Sequence, residues 1–526
     1  MTKRITIIGS GASGLPAIRV CLEYGFEPIC FEKSKDIGGL WRYRKEVDPT
    51  EGCVMKSTVI NTSKEMTAYS DYPPPPQTAN YMHNTEMLKY LRMYAENFSL
   101  QNYIQFRVLV TNVVRTENYA ETGQWRVFTE NLETGEKREL LVDGVLCCSG
   151  HHVHEYQAHF EGEQLFKGRI RHSHTYRDHV GFEDKRVVVI GIGNSGVNRF
   201  SFSVYLVTRR GSWVVNRVWF RGEPVDNVLN TRFITKLRTT CHWLANYLTA
   251  LVLNYRFDHE VYGLKPNHPP FGAHLTVNDE LPNRIACGTI RVKPQIARFT
   301  GAHSLEFVDG THVDDIDEVL VCTGYSFSFP ALENGELIPV VENRVRLYQF
   351  MYEPKLARPE TLAIIGLIQP SGSIMPISEM QCRVFCDVLS GRTQLPSREA
   401  MNADIDRKLD AMAKQFVASR RHTIQVDYSI FTDELAAMIG CLPDWRHFLL
   451  SDPPLAYELL FGPMAAYHYR LVGPHPWAGA RDAIVNLQQR VIAATKPPTS
   501  RPAEQIDFYS VALFCIVLLL VIYLFW

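Results

Sequence analysis

Two glycine fingerprints, far apart in the chain, constrain this sequence more than any other feature. ITIIGSGASG runs from Ile5 to Gly14, and VVVIGIGNSG runs from Val187 to Gly196. Each is an apolar, β-branched run leading straight into G-x-G-x-x-G, the strand–turn–helix of a dinucleotide site. The first glycine of each (Gly9, Gly191) makes the tight turn. The second (Gly11, Gly193) lets a pyrophosphate approach the backbone. The third (Gly14, Gly196) lets the helix pack on the strand with its N-terminal N–H groups facing the phosphate. Asn194 and Ser195 lie inside the second turn and join its cofactor-binding set. One such match is weak evidence. Two, each behind a buried-strand run, predict an α/β protein with two Rossmann-like dinucleotide-binding domains that pass electrons from one nucleotide to the other.

The bulk properties agree. A chain of 526 residues is too long for one core. A net charge of −1 argues against nucleic acid as a partner. The 12 cysteines are scattered: Cys147 and Cys148 are adjacent, and Cys382 and Cys386 are spaced C-x-x-x-C. Neither pair is a C-x-x-C redox or zinc pattern. A flavoprotein disulfide reductase, which needs a redox cysteine pair beside its flavin, is therefore disfavoured. His151, His152, His154 and His159 crowd one loop without acidic partners, so no metal is expected. No serine–base–acid constellation has a recognisable spacing. The glycosylation sequons at Asn61 and Asn97 have no meaning in a domain facing the cytosol.

The two nucleotide sites differ in charge. The strand after the first fingerprint, Pro28 to Phe31, ends in Glu32. An acid at that tip accepts hydrogen bonds from ribose hydroxyls and repels a phosphate, which suits FAD or NAD. DIGGLW, Asp36 to Trp41, follows; its glycine pair lets the chain pass close to the cofactor, at Gly39, Leu40 and Trp41. In the second half the corresponding strand, Val204 to Thr208, ends in Arg209-Arg210. Guanidinium groups there suit a 2′-phosphate, so Thr208 and Arg209 point to NADPH.

Two further buried-strand runs, Gly144 to Gly150 and Glu318 to Tyr325, stop at a small residue and glycine. They suit crossings between a first domain and an inserted second one. The expected organisation is an FAD domain in two parts (1–150 and 326–495, the latter with the C-terminal region). An NADPH domain (151–325) is inserted between them and carries its own insertion at about 213–294. Cys241 to Leu253 in that insertion is an apolar helix that either caps the active site or touches a membrane. Residues 496–507 form a Pro-rich linker. Phe508 to Trp526 carries no charged side chain and is just long enough to cross a bilayer. Its aromatic ends suit the interfaces. A tail-anchoring transmembrane helix is expected, with a segment lying on the membrane as the alternative. Met1 runs directly into the first strand without a signal peptide.

FKGRIRHSHTY, Phe166 to Tyr176, fits F-x-G-x-x-x-H-x-x-x-Y through Phe166, Gly168, His172 and Tyr176. Here, and over nearly its whole length, the chain resembles the animal flavin-containing monooxygenases of the microsomal dimethylaniline monooxygenase type. The likeness includes FEKSKDIGGLW (Phe31 to Trp41), NTSKEM (Asn61 to Met66), RRGSW (Arg209 to Trp213), VNDELPN (Val277 to Asn283), TGYSFSFP (Thr323 to Pro330) and IGLIQPSG (Ile365 to Gly372). Tyr176 favours the heteroatom-oxygenating branch over Baeyer–Villiger enzymes. The resemblance implies an NADPH- and O₂-dependent enzyme of xenobiotic metabolism, working through a flavin 4a-hydroperoxide on soft nucleophilic nitrogen or sulfur atoms of small amines and sulfides. The cofactor carries the chemistry and the protein positions it. Asn61 matches the family's active-site asparagine, with Thr62 beside it. The implied setting is the endoplasmic reticulum membrane, catalytic domain toward the cytosol; a homo-oligomer is compatible with it.

One departure stands out. Leu15 to Glu27 separates the first fingerprint from its next strand, but only Val197 to Ser203 separates the second from Val204. A complete crossover needs roughly 10–12 residues, and VNRFSFS is a poor helix. Either the NADPH half is damaged, leaving an FAD-binding membrane protein with impaired NADPH turnover, or the gene model is in error.

Overall fold

The computed structural model describes residues 2–193, 203–417, 419–420 and 422–496. In chain order the strands that matter are β1 (Arg4–Ile8), β2 (Glu27–Glu32), β3 (Ile104–Phe106), β4 (Gly144–Cys147), β5 (Arg169–His172), β6 (Val187–Ile190), β7 (Val204–Val207), β8 (Ile290–Lys293), β9 (Glu318–Val321) and β10 (Leu362–Ile364). They form two five-stranded sheets, ordered β10-β4-β1-β2-β3 and β5-β9-β6-β7-β8. Every neighbouring pair is parallel. Position by position the sheets repeat one plan, with the fingerprint strand central in each. The chain leaves the first sheet after β4, builds the whole second sheet, and returns to the first at β10.

Parallel strands covered on both faces read as continuous apolar runs, and β6 shows why. Val187 and Val189 pack with Leu206 and Leu320 on one face. Val188 packs with Tyr205, Val207 and Val319 on the other. In the first half α1 (Gly14–Glu23) lies against β1 and β2. Its other neighbour is a helix late in the chain, Ile374–Leu389, which is buried almost throughout.

Three expectations meet the structure here. The two strand ends read alike in sequence belong to different sheets: Gly144–Cys147 to the first and Glu318–Val321 to the second. They look alike because each is the inner neighbour of its own fingerprint strand. The apolar stretch from Cys241 forms a helix, α2 (His242–Arg256). Trp243, Tyr247, Leu248, Leu251 and Tyr255 on it are exposed, Trp243 to 74% and Tyr255 to 84%. Finally, the expectation for the short second link falls on residues outside those described, and what the structure describes is the strand that follows it. β7 pairs with β6 in register, Val187 opposite Val204 through Ile190 opposite Val207. Asn194, Ser195, Gly196 and the link itself up to residue 202 lie outside the described residues, as do the end of the linker and the 508–526 segment. Among the described residues no helix is long and apolar enough to cross a membrane.

Candidate active site

Where both are described, the two fingerprint turns are built alike. Gly9 N–H donates to Phe31 O (2.8 Å) and Cys148 N–H to Ile8 O (3.0 Å). Gly191 N–H donates to Val207 O (2.9 Å) and Cys322 N–H to Ile190 O (2.8 Å). Gly9 and Gly191 both have left-handed φ, +96° and +114°. A Cβ would stand 2.9 Å from Cys148 O at Gly9 and 2.6 Å from Cys322 O at Gly191. At Gly14 it would stand 1.8 Å from Gly9 O, the close approach of helix to strand.

Gly11 differs. A Cβ there would meet nothing nearer than Gly39 Cα at 3.6 Å, an ordinary contact. Packing within the protein does not demand glycine at this position; the approach of a ligand's pyrophosphate does. Gly39, Leu40 and Trp41 form a short 3₁₀ turn that brings Gly39 against Gly11. The buried Glu32 carboxylate closes the site. One of its oxygens accepts from Ser10 N–H (2.8 Å) and Ser10 Oγ (3.0 Å), the other from Ser34 N–H (2.9 Å). A carboxylate accepts about four hydrogen bonds, so capacity remains for ribose hydroxyls. Bare glycine surface and a fixed acid fit an FAD pyrophosphate and ribose.

The register carries the comparison into the second half. Ile8 faces Phe31 and Ile190 faces Val207, so Thr208 stands where Glu32 stands. Thr208 Oγ1 accepts from Gly211 N–H at 3.0 Å. Arg209 and Arg210 follow, both exposed. The second site therefore has a hydroxyl and two guanidinium groups where the first has an acid, a charge pattern that fits a 2′-phosphate.

Asn61 and Thr62 lie in a loop of the first half that is held by Arg217, Asp226 and Asn227. Asn61 Oδ1 accepts from Arg217 Nη2 at 2.8 Å. A guanidinium has only donors, so the amide oxygen faces it and Asn61 Nδ2 is the group left to donate. Arg217 is fixed in turn: its Nη1 and backbone N–H donate to Asp279 (2.8 and 2.9 Å), and its Nε to Ile60 O (3.0 Å). Thr62 Oγ1 pairs with Thr67 Oγ1 at 2.7 Å. Next along the loop, Ser63 N–H donates to Asp226 at 2.6 Å and Ser63 Oγ to Asn227 at 2.9 Å. Burial pushes the Asp226 carboxyl up to about 6. Sequence reasoning missed Arg217, Asp226 and Asp279. Only Asp279 left a trace, inside VNDELPN, and without a role.

Among the described residues no three metal-ligating side chains converge. His152, His172 and His174 pack edge-on around Tyr325 instead, with ring centroids 5.3–6.0 Å away.

A family profile described as Flavin-binding monooxygenase-like matches residues 2–526. The chain belongs to the flavin-containing monooxygenase family. Flavin-containing monooxygenase 5 of Rattus norvegicus is 47% identical over 512 residues, 96% of this chain and 94% of that protein. Dimethylaniline monooxygenase (N-oxide-forming) 2 of Mus musculus is 40% identical over 513 residues, 96% of this chain and 95% of that one. The S-allyl-L-cysteine S-oxygenase of Allium sativum shares the fold, with a TM-score of 0.64 at 22% identity over 94% of this chain and 99% of that one. As a flavin-containing monooxygenase the protein is a flavoprotein oxidoreductase that uses FAD and NADPH.

Proposed function

We propose that this flavin-containing monooxygenase oxygenates soft nucleophilic nitrogen or sulfur atoms of small molecules, at the expense of NADPH and O₂. The observation that carries the reading is the duplicated turn with opposite charge: Glu32 at one strand tip, Thr208 and Arg209 at the equivalent tip. FAD bound at Gly9, Gly11, Gly14, Glu32 and Gly39 to Trp41 supplies the oxygen activation, and NADPH at the second turn supplies the hydride. The protein's part is placement and exclusion of water. Asn61 Nδ2, held in direction by Arg217, is the donor at the reacting face; a preorganised donor of this kind is worth roughly 10²–10³ in rate.

The division of the chain follows the same reading: FAD-binding parts at 1–150 and 326–495, an NADPH-binding part at 151–325 with its insertion at about 213–294, a linker at 496–507 and a membrane anchor at 508–526. Endoplasmic reticulum attachment with the catalytic part toward the cytosol rests on the charge-free tail and on the exposed apolar side of α2. The in-register seating of β7 favours a working NADPH site over the impaired one.

The test is a balance of NADPH consumed, oxide formed and H₂O₂ released with a tertiary amine and a thioether. The native protein should form amine oxide or sulfoxide in near-equal amount to NADPH used. Asn61→Ala should keep its FAD, lose most of the product and release H₂O₂ instead. An unchanged yield of oxide per NADPH in Asn61→Ala would remove Asn61 from the chemistry. Absence of any oxide from the native protein with both substrates would remove the reading.

A further inference from the structure

The near-symmetry of the two turns breaks at one atom. In the first half the carbonyl between the two leading glycines, Ser10 O, accepts from Gly38 N–H at 3.1 Å. Gly38 belongs to the same Asp36–Trp41 loop that lays Gly39 against Gly11, so the turn is pinned by the loop that completes its cradle. The equivalent carbonyl in the second half is Ile192 O. Among the described residues no backbone N–H donates to it. It accepts from the hydroxyl of Thr276, at 2.9 Å.

Thr276 sits in the insertion, 84 positions away. Its side chain is buried, at 3% exposure. Its backbone is fixed in a two-stranded parallel ribbon, Val214–Val215 with Thr276–Val277, and its N–H donates to Trp213 O at 2.9 Å. Thr276 Oγ1 lies 2.8 Å from Ser212 Oγ. The single Thr276 proton goes to Ile192 O, so Ser212 donates to Thr276, and a directed chain runs Ser212 to Thr276 to Ile192. A buried carbonyl must be paired, and this one lies inside the turn whose peptide planes aim the Gly191–Gly193 backbone.

We infer that Thr276 is the positioning residue of the second nucleotide turn, doing by hydroxyl what Gly38 does by backbone in the first. Through it, the insertion sets the backbone that receives the NADPH pyrophosphate. The inference rests on reading the second fingerprint as the NADPH site, and the test separates the two claims by ligand. NADP⁺ carries both a pyrophosphate and a 2′-phosphate. Adenosine 2′-monophosphate carries only the latter and reports on the Arg209 end.

Binding of both is measured by calorimetry on the FAD-loaded full chain, with flavin content recorded. Thr276→Val, which keeps the shape and removes the hydroxyl, should weaken NADP⁺ by about tenfold, the scale of one buried hydrogen bond. It should leave adenosine 2′-monophosphate affinity and FAD content unchanged. Thr276→Ser should restore NADP⁺ affinity. Equal NADP⁺ affinity in Thr276→Val and the native chain would overturn the inference. Failure of the native chain to bind either ligand would overturn the NADPH reading itself. If Thr276→Val does not fold, Ser212→Ala decides: selective weakening of NADP⁺ supports the chain of hydroxyls, and unchanged NADP⁺ affinity refutes it.

Discussion

Single residues separate what the protein needs for itself from what it keeps for a ligand. Gly14 is required by packing, since any Cβ collides with Gly9 O. Gly11 is not, since its Cβ meets only ordinary contact. Gly11→Ala should therefore fold with an unchanged unfolding temperature in the apo state but lose FAD affinity at least tenfold, whereas Gly14→Ala should lose the fold as well. Flavin titration and thermal unfolding of the two variants check this; full FAD occupancy in Gly11→Ala would refute the cradle. Asp226 gives a pH prediction. Its carboxyl is raised from 3.8 to about 6 by burial. Its folded form thus holds a proton more tightly than its unfolded form, and the resulting stabilisation is complete below about pH 4 and lost as pH rises through 6. Asp226→Asn keeps an acceptor for Ser63 and removes the ionisation. It should match the native protein's pH trend below pH 4 and gain up to about 3 kcal/mol on it by pH 8. A stability difference that does not change between pH 4 and 8 would contradict this. The glycines and Glu32 were legible in the sequence because their partners are local or one strand away. Arg217 was not, because it reaches Asn61 across 156 positions and no short motif encodes that contact.

Whole elements are tied by a buried ion cluster that no sequence pattern announced. Arg470, 1% exposed at its side chain, donates to Glu23 at 3.0 Å, Glu379 at 3.1 Å and Ser70 Oγ at 2.6 Å. It thereby joins the C-terminal end of α1, the late helix Ile374–Leu389 and the C-terminal region. Three buried carboxylates, Glu23, Asp71 and Glu379, would be left without this cation by Arg470→Met. The loss should be about 3–5 kcal/mol, because a stranded buried charge costs more than the pair gained. An unchanged denaturant midpoint would count against it. Elements near the fingerprints were readable because strand runs of β-branched residues and the glycine spacing are local signals. The seating of β7 was not. Counting residues in the link spoke only to the crossover helix, whereas the parallel register between Val187–Ile190 and Val204–Val207 is set by pairing and burial on both faces.

At the scale of the whole molecule, two sheets of the same order share one chain, the second built between strands of the first. That plan was visible in the sequence from the two fingerprints and from the strand ends at Gly144–Gly150 and Glu318–Tyr325, although which sheet each end joins needed the three-dimensional register. It was invisible where helix α2 meets solvent, because an apolar run reads the same buried or exposed. Removal of residues 508–526 should reduce membrane association, with the exposed side of α2 retaining a part of it; full retention in the pellet after truncation would show that the tail is not the main anchor. The central claim, that one turn holds FAD and the other holds NADPH so that hydride passes between them, is tested most directly by anaerobic stopped-flow spectroscopy of the purified, FAD-loaded chain. The account predicts rapid, saturable bleaching of the flavin by NADPH, with NADH at least tenfold less effective because it offers nothing to Arg209. Flavin that stays oxidised in excess NADPH, or that is reduced equally well by NADH, would contradict it.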